Sequence, residues 1–135
     1  MKRSKHLAFD MNLLKYMNKK FKNYKRDVGA DSIFRPNAVE LSTGFNPQVW
    51  VKNYGVVSAT FWTRCEIEAN GGNVYRDSVL VSNLYPNLTL PLSFSLATLN
   101  PGIYQFKVRT LYNGDIVPSN DEKTKEFTKI YEQEI

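Results

Sequence analysis

Residues 59–82 read ATFWTRCEIEANGGNVYRDSVLVS. Phe61, Thr63, Cys65 and Ile67 alternate with Trp62, Arg64, Glu66 and Glu68. A period of two belongs to a strand with one face toward a core, since successive side chains of a strand point to opposite faces. Asn70-Gly71-Gly72 then breaks the pattern. Asn and Gly tolerate positive φ, so these residues predict a hairpin turn. A second apolar run, VYRDSVLVS (74–82), follows. This hairpin sets the reading of the rest of the chain.

Other segments repeat the pattern on both sides of it. QVWVKN (48–53) places Val49 and Val51 on one side. LTLPLSFSL (88–96) predicts one strand with Leu88, Leu90, Leu92, Phe94 and Leu96 together, and Pro91 on the other face, as suits an edge or a bulge. IYQFKVRTLY (103–112) sets Tyr104, Phe106, Val108 and Thr110 against Gln105, Lys107 and Arg109. EKTKEFTKI (122–130) reads as a last strand with Phe127 inward and lysines guarding an edge. With a strand near Ser32–Arg35 or Val39–Leu41, about seven short antiparallel strands fill roughly 100 residues, the spacing of an immunoglobulin-like β-sandwich. Asn53-Tyr54-Gly55 and Pro101-Gly102 read as turns, the former with Gly55 at positive φ. Tyr104 is placed to pin the second corner with its hydroxyl.

Residues 1–26 differ in kind. They hold nine Lys/Arg against one acid, a net of +8, whereas the remaining 109 residues carry a net of −3. The sequence pI near 9.3 therefore belongs to one end of the chain. Leu7, Met11, Leu14, Met17, Phe21 and Tyr24 recur at steps of three and four, the period of an amphipathic helix. Asp10 and Lys15 interrupt any apolar run, so the segment does not read as a signal peptide. Its stripe can dock on a protein surface, lie on a membrane surface through its lysine-rich face, or meet an acidic partner. The domain reading is a basic helix over 1–26 and a sandwich over 27–135.

Catalytic signatures are missing. The single Cys65 forbids an internal disulfide and reads as a small buried hydrophobe, and the only histidine is His6. Cys–His and Ser–His–Asp catalysis and Cys/His zinc sites have no support. No glycine-rich phosphate loop is present. Glu66, Glu68, Asp77, Asp115 and Asp121 can pair only across space, and the alternation puts Glu66 and Glu68 on a solvated face. In NGDIVPSND (113–121), Asp115 and Asp121 with carbonyls are candidate calcium ligands outside any EF-hand pattern. The competing reading is an Asx-rich connection between the last two strands, and the expectation is no metal or other cofactor.

The order of motifs resembles the CARDB-like domains, named for cell adhesion in bacteria. The resemblance covers about residues 27–130. It rests on Val51–Lys52–Asn53–Tyr54–Gly55, on Leu99–Asn100–Pro101–Gly102–Ile103–Tyr104, and on Gly114–Asp115 followed by Asn120–Asp121. It implies an immunoglobulin/fibronectin-like sandwich without catalytic residues, at a prokaryotic cell surface or in an extracellular assembly. The expected function is thus a non-enzymatic structural or adhesive module, a self-assembling subunit if the helix stripe of one copy docks on the next. The partner is then protein, copies of itself or a larger surface assembly, met through the stripe and Trp62. No nucleic acid partner is expected, and residues 1–26 can touch a membrane surface. The alternative is a carbohydrate- or small-ligand-binding module with Trp50, Trp62 or Tyr75 as stacking platforms.

Overall fold

The computed structural model of the chain describes residues 26–115 and 121–130. The helix expected over 1–26, with Leu7, Met11, Leu14, Met17, Phe21 and Tyr24, lies outside the described residues except for Arg26. Seven long strands follow the alternating segments: β1 (Val28–Arg35), β4 (Gln48–Asn53), β5 (Ala59–Ala69), β6 (Gly72–Leu84), β7 (Thr89–Ser93), β9 (Gly102–Leu111) and β10 (Glu122–Lys129). Three two-residue strands complete the set: β2 (Val39–Glu40), β3 (Gly44–Phe45) and β8 (Ala97–Thr98).

The strands form a three-stranded sheet in the order β1-β4-β7, a five-stranded sheet in the order β2-β10-β9-β5-β6, and a small β3-β8 pair. Pairing is antiparallel except that β2 runs parallel to the end of β10. The apolar faces of both large sheets meet in one core. Val28, Val49, Val51 and Leu92 come from the smaller sheet, and Phe61, Ile67, Phe106, Val108 and Phe127 from the larger. Each of these buried side chains stabilises the fold by about 1.5–3 kcal/mol relative to exposure, which lets the sandwich stand with Cys65 reduced. The chain is an all-β sandwich.

Several local expectations hold. Asn70 and Gly71 take positive φ in the hairpin turn. Pro91 sits on β7, an edge strand. The Tyr104 hydroxyl donates to the Asn100 carbonyl at 2.6 Å and pins its corner.

Three details differ. LTLPLSFSL is not one strand. The chain leaves the β4 ladder after Ser93, where the Phe94 N–H donates to Pro47 O at 2.9 Å; Leu92 and Phe94 are buried, while Leu88, Leu90 and Leu96 are exposed. The last strand, β10, is not outermost at its end, because β2 pairs with Thr128 and Lys129. Gly55 is not at positive φ. Instead Asn53 shapes that turn, its Oδ1 accepting the Gly55 N–H at 2.8 Å.

Candidate metal centre

Three aspartates far apart in sequence meet at one corner. Asp27 precedes β1, Asp115 follows β9, and Asp121 precedes β10. Their neighbours explain the convergence. The turn after β9 closes with the Asp115 N–H donating to Tyr112 O at 3.1 Å, and Gly114 there takes φ of 86°. A Cβ on Gly114 would meet the mobile end of the Arg26 side chain at 3.1 Å, and the positive φ is what favours glycine here. The Thr110 N–H donates to Asp121 O at 2.9 Å, which fixes the start of β10. The Val28 N–H donates to Asp115 Oδ2 at 2.9 Å, which ties the start of β1 to the same turn.

One carboxylate oxygen from each aspartate lies within 4.8 Å of the others. Two oxygens that share one calcium ion at 2.3–2.6 Å lie at most about 5 Å apart. The spacing therefore admits a single ion, and an all-oxygen donor set suits a hard cation. Asp121 Oδ1 is buried and has no hydrogen-bond partner among the described residues. The Asp121 carboxyl is pushed up to about 7, first by burial, then by the charge of Asp115 and a side-chain hydrogen bond with it, then by the charge of Asp27, with Arg109 opposing. Like charges packed this closely resist full ionisation, and a cation reverses that balance. The residues present fit a divalent ion.

Asp115 and Asp121 were legible as a possible pair. Asp27 was not: it stands at the end of a basic segment, 88 positions before Asp115, and only the pairing of β1 with its neighbours brings it in. An acid immediately before the first apolar strand was the one available signal.

The remaining candidates lie elsewhere. Trp62 is half-exposed on the outer face of the five-stranded sheet, and Trp50 lines a shallow groove with Phe34 and Pro91 on the other sheet. Tyr75 is tied down, its hydroxyl donating to Ser95 O at 2.6 Å. Cys65 is fully buried, and burial, followed by the Asp77 charge, pushes its thiol up to about 12, so it is no thiolate at neutral pH. Glu66 pairs with Arg76 at 3.4 Å and Glu68 with Lys107 at 3.9 Å. Both are partly buried acids paired with a neighbouring cation.

No family model and no curated protein matches the chain. Solved structures do. The chain is similar to the CARDB domain of a Pyrococcus furiosus protein, solved in complex with di-metal ions, with a TM-score of 0.56 and 20% identity. That likeness covers 78% of this chain and 89% of that one. A putative beta-galactosidase from Bacteroides fragilis is similar over 73% of this chain and 15% of its own length, with a TM-score of 0.48 and 18% identity. By fold, the chain is a CARDB-like β-sandwich.

Proposed function

We propose that this chain is a non-enzymatic, immunoglobulin-like module of a prokaryotic cell-surface or extracellular assembly, braced by a divalent cation at Asp27, Asp115 and Asp121. The observation that carries this reading is the convergence of the three carboxylates within 4.8 Å. Calcium suits the site best, because it accepts several carboxylate oxygens in a flexible geometry. The similar CARDB domain solved with di-metal ions agrees with a metal-binding role. Bound there, the ion links the start of β1 to the connection between β9 and β10. It would thereby fix the exit of residues 1–26, the segment best suited to meet copies of this chain or other proteins of an assembly.

Calorimetric titration with calcium, paired with thermal melts, tests the proposal. Saturable binding with Kd on the order of 10⁻⁴–10⁻³ M is expected, as for extracellular calcium modules. The melt should shift upward in calcium, and Asp115→Ala should remove both effects. No heat of binding and identical melts in calcium and in chelator would leave the corner as a plain connection between two strands.

A further inference from the structure

The outer face of the five-stranded sheet is ordered in rows by its register. Trp62 stands opposite Leu80 on β6 and Leu111 on β9. All three are exposed, Trp62 by 50%. In the next row Arg64 stands opposite Ser78 on β6 and Arg109 on β9. Two guanidinium side chains thus project from directly opposed positions, about 5 Å apart at Cβ, an arrangement that like charges disfavour.

Neighbouring acids do not resolve that repulsion. Arg76 and Lys107 have their own carboxylates, Glu66 and Glu68. Arg109 pairs with Glu122 at 3.9 Å, which Lys107 shares at 4.0 Å, and its charge is also felt by Asp121. Arg64 makes no ion pair among the described residues, and its Nε is buried without a hydrogen-bond partner. A half-exposed indole between two leucines therefore adjoins two opposed arginines, of which Arg64 has no acidic partner among the described residues. An anion seated between the guanidiniums would relieve the repulsion and use their forked N–H groups.

We propose that this strip binds an acidic polysaccharide, with the apolar face of a sugar ring on Trp62 and a uronate carboxylate between Arg64 and Arg109. The face favours a sugar over an acidic peptide. Both edges of β5 are already paired, with β6 and β9, so a peptide laid on the face finds no backbone groups to bond. Its amides would lose water without compensation, and peptides accordingly add to sheet edges. A sugar needs no ladder: its hydroxyls stay in water or meet Ser78. The strip meets the cation centre only through Arg109, whose charge acts on Asp121, so Arg64 and Trp62 carry the test.

A galacturonate hexasaccharide is the probe, titrated by calorimetry into the full chain. Saturable binding that weakens with added salt is expected, with a neutral galactose hexamer about tenfold weaker or worse. Trp62→Ala and Arg64→Gln should each weaken galacturonate binding about tenfold, with Trp50→Ala neutral. The Arg64→Gln melt should not fall, since the change removes a repulsion, so its binding loss cannot be laid to misfolding. The proposal is overturned by absent galacturonate binding, by equal binding of the neutral hexamer, by an undiminished Arg64→Gln variant, or by a poly-glutamate peptide that binds as tightly.

Discussion

Two corners of the sandwich tie distant segments together, and they do so with opposite energetics. At the first, buried Asn53 donates through Nδ2 to Val57 O and Leu84 O, both at 2.8 Å, and accepts the Gly55 N–H. Its backbone also joins in, with the Asn53 N–H donating to Leu88 O and its carbonyl accepting from Asn87. The amide's bonds are made within the fold. At the second corner three carboxylates crowd one another, one oxygen of Asp121 has no hydrogen-bond partner among the described residues, and that group holds its proton up to about 7. The first arrangement stabilises the fold. The second leaves Asp121 strained by its acidic neighbours, only partly offset by Arg109, and that asymmetry is why the second corner is the proposed cation site.

The sharpest way to break the contrast is at Asn53. Asn53→Ala leaves several buried groups without partners and should cost about 3 kcal/mol in urea unfolding, unaffected by calcium. A loss below about 1 kcal/mol would mean that the corner is not a structural anchor. Glu40 offers the same test with a carboxylate. It is fully buried, pairs with Arg35 at 2.9 Å and accepts the Asn37 N–H at 2.6 Å. Glu40→Ala should cost about 2 kcal/mol, because the compensated acid is an asset where Asp121 is a liability. Tyr104→Phe, which removes only the hydroxyl at its corner, should cost about 1 kcal/mol by the same measurement. Asp121→Asn should act in the opposite sense, with a small rise in melting temperature at pH 8 in chelator and a loss of the calcium response.

The sequence displays the sandwich more fully than the site, for a physical reason. Alternation is local, so β5, β6 and β9 could be read from Phe61, Ile67, Phe106 and Val108 alone. Tyr104 could be placed because its corner lies within four residues of its partner Asn100. The break after Ser93 could not, since LTLPLSFSL alternates throughout and only contacts with Pro47 and Asp77 divert it. The short strands β3 and β8 went unread in the same way, whereas β2 falls on the Val39–Leu41 segment that the sequence offered. Asp27 escaped for the same reason. A site assembled from three chain segments has no period, and its members become neighbours only once β1, β9 and β10 are in place.

Stability as a function of pH tests the cation corner most directly. Asp121 has a folded pKa near 7, above its ordinary value of 3.8. A raised carboxyl gives stability that is full below the unfolded value and lost as pH rises through the folded one. In chelator, therefore, the wild-type chain should fall progressively behind Asp121→Asn between about pH 4 and pH 7. In millimolar calcium the trend should reverse over the same interval, because the ion binds the deprotonated carboxylates. Superimposable profiles with and without calcium would contradict the account.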